Sequence, residues 1–217
     1  MTGRRPDDRG QAFPVYITVV AGLLLLAFAY FAVGQAAATR NGAQTAADAA
    51  ALAAAQDARE QLRDGWLKVI LDPAQWDDFL TGQDYGELAA CQRAASFAAK
   101  NDAELWGEGC RRLPVGEEGF RVDVRTLSTV GDSVIPGTDE QHAFASATAV
   151  IEPRCTFDAP EPEPTPTESA EPDPGETEDE KPGPILGLSC DGEAWDIDPD
   201  RPDLPGVADL FTVRLAD

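Results

Sequence analysis

The side chains in this 217-residue chain best suited to chemistry are four cysteines, Cys91, Cys110, Cys155 and Cys190, and one histidine, His142. A lone histidine excludes a multi-histidine metal site. Placed where a loop enters a strand, it also argues against a His-dependent nucleophilic triad. No CxxC pair or histidine-rich companion accompanies the cysteines. An even number of them in an oxidising compartment reads as disulfides. Four cysteines allow three pairings; the favoured one joins sequence neighbours, Cys91–Cys110 and Cys155–Cys190. The string Asp196-Ile197-Asp198-Pro199-Asp200 matches the opening of a calcium loop. The match then fails, because Arg201 stands where the turn glycine belongs and Val207 where the bidentate glutamate belongs. There is no GxSxG, HExxH or GxxxxGK[ST] string. Paired carboxylates carry little information in so acidic a chain. The expectation is a protein that is not an enzyme, with no catalytic, cofactor-binding or metal-binding residue and no cofactor.

The charge is unevenly placed. The chain holds 17 Lys and Arg against 39 Asp and Glu, a formal charge of −22. Residues 1–33 carry a net +1 and residues 34–217 a net −23. Nucleic acid is excluded as a main partner, since neutralising phosphates needs clustered Lys and Arg.

No ionisable acid or base lies between Gly10 and Thr39, and Val15–Val33 reads VYITVVAGLLLLAFAYFAV. At ~1.5 Å per residue this run covers roughly 28 Å, enough for a transmembrane helix. Tyr16, Tyr30 and Phe31 suit interfacial anchors. Ala36-Ala37-Ala38 leaves a cleaved secretory signal as the alternative. Arg4, Arg5 and Arg9 precede the span and only Arg40 closely follows it, so the positive-inside rule puts the N-terminus in the cytoplasm and the remainder outside. The cysteines then fall on the oxidising side. A single-pass cell-membrane location is the expectation.

Residues 1–14 form the basic lead, 15–33 the span and 34–71 an alanine-rich stalk helix, in which Asn41-Gly42 is a weak point. Ala43, Ala47, Ala50, Ala54 and Ala58 make a small-residue stripe that a second helix could approach closely. Asp72-Pro73 ends this helix. A second helix is expected over Gly86–Leu105, with Asp84 and Glu87 resembling a capping box and Leu88, Cys91, Ala95, Ala98 and Leu105 on one face. Alternation then predicts strands at FRVDVRTL from Phe120, at Ala143–Ile151, and at Phe211–Leu215. The fold class is therefore α+β: a membrane helix runs into a long alanine-rich helix that carries a small antiparallel-sheet head of residues 72–157 and 185–217. Trp66, Trp76, Trp106 and Trp195 are expected in its core. Residues 158–184 interrupt the head with eight prolines and ten acids against one lysine, a composition that cannot offset its ordering entropy.

Arg9-Gly10-Gln11-Ala12, the span, and the stretch from Arg40 through Gln44, Ala46, Ala47, Asp48, Ala49, Ala50, Ala51, Leu52 and Ala53 follow one another in a recognisable order. Together, over about residues 9–56, they resemble the N-terminal segment of Tad/Flp pilus-assembly proteins of the TadE/TadG type. The resemblance implies a pilin-like fold and a minor-pilin-like structural or assembly component of a surface pilus or secretion apparatus. It implies partners among other pilin-like or Tad-system membrane proteins, reached by helix packing, with a homo-oligomer open. Gly10 occupies the place of the glycine that precedes the peptidase cut, but Val15 stands where such substrates have glutamate, which implies an uncut, membrane-retained factor. A membrane-anchored extracytoplasmic binding or sensing module is the other reading. Three lysines against fourteen arginines suit a GC-rich bacterial genome.

Overall fold

The computed structural model describes residues 12–114, 116–132, 136–159, 183–200 and 203–216. The basic residues of the lead and nearly all of the acidic insert, 160–182, lie outside the described residues.

Alanine-rich sequence without an internal proline after Pro14 gives one helix, α1, over Ala12–Lys68. Neither Asn41 nor Gly42 interrupts its helical assignment. A 3-10 turn at Pro73–Gln75 and a short helix, α2 (Asp77–Leu80), reverse the chain into α3 (Glu87–Lys100). Strands β1 (Ala103–Arg112), β2 (Gly119–Thr129) and β3 (His142–Pro153) follow, then β4 (Cys155–Phe157), β5 (Ile185–Cys190) and β6 (Glu193–Ile197). A one-turn helix, α4 (Val207–Leu210), leads into β7 (Phe211–Leu215). The antiparallel pairings order the strands β1-β2-β3-β7 in a large sheet and β4-β5-β6 in a small one. The expected α+β class with an antiparallel head on a long apolar helix is thus present.

The stalk reading needs correction. The outer part of α1 is the spine of the head, packed between α3 and the large sheet. Ala46, Ala47, Ala50, Ala51, Ala54, Ala55, Ala58, Leu62 and Trp66 join Phe120, Val122, Val124, Ala149 and Phe211 in one core. A sheet face buries one side only, so it needs a covering layer; here the continuation of the long apolar helix supplies it.

Helix α3 also departs from expectation. It stops at Lys100, and Asp102 takes a positive φ of 54° that turns the chain into β1. Its buried face is Ala90, Ala94 and Ala98, whereas Leu88 is 74% exposed. Small residues at i, i+4 and i+8 let two alanine faces approach closely, and a leucine at that contact would hold the helices apart. Asp84 makes no side-chain cap. The start of α3 is instead held by α1: the Gly86 N–H donates to Gln61 Oε1 at 2.9 Å.

Strand β1 is not legible in the sequence, because Gly107 and Gly109 look like helix-ending punctuation. Both take positive φ, 66° and 68°, inside an irregularity where the β1–β2 register shifts between Leu105 and Cys110. Such a bulge adds twist and blunts an edge strand.

Candidate interaction surfaces

The disulfides are Cys91–Cys110, tying α3 to β1, and Cys155–Cys190, a directly opposed pair of β4 and β5. No cysteine is free. The second bridge closes the base from which the acidic insert departs. It stands beside Arg154, whose Nε donates to Asp191 Oδ2 at 2.8 Å and whose Nη1 donates to the Ala208 carbonyl at 2.7 Å. One arginine thereby joins the small sheet to the segment before β7.

His142 Nδ1 lies 2.7 Å from the Thr126 carbonyl oxygen, and the Thr126 hydroxyl accepts from the Ala143 N–H at 3.0 Å. These bonds fall where the β2–β3 register shifts between Arg125 and Thr129. They replace missing ladder bonds around buried Thr126, so the imidazole is occupied structurally. Asp198 Oδ1 accepts from the Asp200 N–H at 2.8 Å, a local turn, while Ile197, the strand end just before it, is buried. Among the described residues no group of three or more His, Cys, Asp and Glu side chains is placed to share a metal ion.

Tyr85 reaches from the loop before α3 to the sheet. Its hydroxyl donates to Glu118 Oε2 at 3.1 Å, and the Arg112 guanidinium lies 4.0 Å from its ring centroid. Burial raises the phenol's pKa above its ordinary value; Arg112 opposes this and Glu118 reinforces it. An open groove of about 560 Å³ nearby is lined by Thr81, Glu117, Glu118, Val150, Glu152 and Arg214 among others.

The predicted packing stripe is fully buried: Ala43, Ala47, Ala50, Ala54 and Ala58 all have 0% exposure. Its covering elements belong to this same chain, α3 and the large sheet. The exposed side of this part of α1 is polar, with Asn41, Thr45, Gln56, Glu60, Asp64 and Lys68 spaced mostly four apart. Below residue 32 the character inverts. Leu23, Leu24, Leu25, Leu26, Phe28 and Phe31 are each 53–69% exposed, and among the described residues no other element covers this segment of the helix. An apolar helix with its side chains out is what hydrocarbon solvates.

One apolar group also stands on the outer face of the sheet. Trp106, Phe144 and Leu127 are 45%, 56% and 54% exposed, with the Trp106 and Phe144 rings 5.8 Å apart. Arg125 lies 4.0 Å from the Trp106 ring centroid. Trp66 and Trp76 do lie in the core, their rings 5.4 Å apart, so the tryptophan expectation holds for them and fails for Trp106. The sequence gives no warning of this, because Trp106 directly follows the expected Gly86–Leu105 helix and is itself followed by Gly107.

No curated protein and no solved structure matches the chain. Residues 10–57 match the family model described as "Tad: Putative Flp pilus-assembly TadE/G-like". The match begins before the exposed apolar segment and ends inside the buried alanine face, so the likeness to TadE/G-like Flp pilus-assembly proteins is confined to residues 10–57.

Proposed function

We propose that the chain is a membrane-anchored, non-catalytic structural or assembly component of a Tad/Flp-type pilus or secretion system, minor-pilin-like in organisation. The observation that carries this reading is the coincidence of the Tad-type segment with a helix that is apolar and exposed in its first half and core-forming in its second. That arrangement couples a span rigidly to a head, so a displacement of the span in the membrane plane is transmitted to the sheet. Arg4, Arg5 and Arg9 favour a cytoplasmic N-terminus, and the two disulfides favour an extracytoplasmic head. Partners are other pilin-like or Tad-system membrane proteins.

Because the alanine stripe is covered, contact with a partner falls to the exposed faces of α1. Photo-crosslinkers placed at Leu24 and Gln56 in cells assembling pili capture another single-span pilin-like protein on this reading. Recovery of the uncrosslinked monomer alone, from both positions, would sink it. A membrane-anchored binding module is the second reading, favoured by the exposed Trp106–Phe144–Leu127 group. Trp106→Ala with Phe144→Ala separates the two, leaving assembly intact only if that group serves ligand binding.

A further inference from the structure

The buried face of α1 does not stop where the head would be expected to end. Following one side of the helix downward, Ala46 and Ala43 are buried, Thr39 and Gln35 are half-buried, and Ala32 is 5% exposed. These positions are three or four residues apart, the spacing of a single helical face. The neighbours of Ala32 off that face, Phe31 and Val33, are 62% and 66% exposed. The cover therefore comes from outside the helix and from one side only.

The β2–β3 hairpin is the element on that side. Both strands pack on α1, and the hairpin continues past the Thr129–His142 pair through a bond from the Val130 N–H to the Gln141 carbonyl at 2.8 Å. The Thr138 hydroxyl donates to the Gly131 carbonyl at 2.9 Å and closes its lower end. A Cβ on Gly131 would lie 4.0 Å from Gln35 Nε2, which places the hairpin end beside Gln35.

Residue heights along a helix fix where this contact lies. At ~1.5 Å per residue, Gln35 stands about 3 Å beyond Val33, the last residue of the apolar run. The polar headgroup layer on one side of a bilayer is roughly 5–8 Å deep. A hairpin end level with Gln35 therefore falls inside that layer. Its exposed side chains at Asp132, Asp139 and Glu140 are acidic, which suits the ammonium groups of zwitterionic headgroups and opposes anionic ones.

We infer that the β2–β3 hairpin end around Gly131 is a second membrane contact, seating the head directly on the zwitterionic headgroup layer of the bilayer that α1 crosses. The inference rests on the membrane-span reading given above. It makes the head a rigid mount, with the small sheet held away from the surface by the length of α1 between Gln35 and Trp66, about 46 Å.

Depth-dependent quenching tests this on the full chain. The four native cysteines are bridged, so an added one takes an environment-sensitive fluorophore uniquely. Asp132→Cys, Pro136→Cys, Val33→Cys and Leu186→Cys are each labelled in phosphatidylcholine vesicles containing a headgroup-nitroxide lipid. The expected result is at least twofold quenching at residues 132, 136 and 33 and none at residue 186. Quenching at residue 33 with residues 132 and 136 behaving like 186 overturns the hairpin contact and leaves the span intact. Absence of quenching at residue 33 overturns the span and the hairpin contact together.

Discussion

Gly65 on α1 lies directly under the ring of Phe79 on α2: a Cβ at that position would sit 2.3 Å from Phe79 Cε1 and 2.8 Å from Cδ1. The contact pins the chain reversal at the outer end of the helix. Beside it the Trp76 indole donates to the Val69 carbonyl at 3.1 Å and its ring lies 4.7 Å from that of Phe157, tilted by 59°. One missing methyl group thus lets the reversing segment fold onto the small sheet.

Gly65→Ala is accordingly destabilising although alanine is the better helix former by about 1 kcal/mol. Displacing a packed aromatic ring costs about 1–3 kcal/mol, as overpacking generally does. Denaturant unfolding followed by tryptophan emission reads the loss. Gly42→Ala, where a Cβ meets nothing within 4 Å, serves as the contrast and is neutral or mildly stabilising. Equal effects at the two sites would contradict the Phe79 contact.

The alanine face of α1 makes a related prediction. Ala54→Leu and Ala94→Leu each put about three extra carbons into positions with 0% exposure, in a close contact of α1 with α3 and the sheet. Each should lower stability by at least 1–3 kcal/mol. Gln56→Leu, on the exposed side, should change it by less than about 0.5 kcal/mol. Thermal unfolding in one detergent compares all three; an Ala54→Leu variant as stable as Gln56→Leu would mean the face is not packed.

How much of this was legible beforehand depended on the range of the interaction. The three strands at Phe120, Ala143 and Phe211 announced themselves by alternation, a property of a few neighbouring residues. Continuity of α1 followed from alanine content. What covers Ala47 did not, since a small-residue stripe fits a partner's helix as well as the chain's own sheet. The small sheet was missed because β4 has three residues, below the length at which alternation can be counted. One local signal did exist. Asp191-Gly192, with φ of 51° and 85°, joins β5 to β6 as a two-residue turn, and Asp-Gly between apolar runs is the strongest short hairpin cue.

The two disulfides should contribute comparably to stability despite different positions. Their partners are 19 and 35 residues apart, and loop-closure entropy rises only with the logarithm of loop length. The chain-entropy model gives each roughly 3–4 kcal/mol. Replacing Cys91 and Cys110 by serine should free α3 from β1, whereas replacing Cys155 and Cys190 should loosen the small sheet. Hydrogen exchange locates the change: faster exchange at Ala103–Arg112 in the first variant, at Ile185–Cys190 in the second. A second variant that loosened β1 instead would refute this division of labour.

Alkaline pH probes the Tyr85 cluster with a defined sign. The phenol's pKa is raised in the folded protein, first by burial and further by Glu118, against the lowering effect of Arg112. A neutral acid raised in this way binds its proton more tightly folded than unfolded. Its contribution is whole below the unfolded value of about 10 and declines as pH climbs above that toward the folded value. Stability should therefore fall between pH 9 and pH 11 more steeply in the native sequence than in Tyr85→Phe, which cannot titrate there. Phenolate absorbance gives the matching readout: a titration step above the ordinary phenol range disappears in Tyr85→Phe. If the variant kept that step, or lost stability just as steeply over the same interval, Tyr85 would have to be solvated rather than clamped between Arg112 and Glu118.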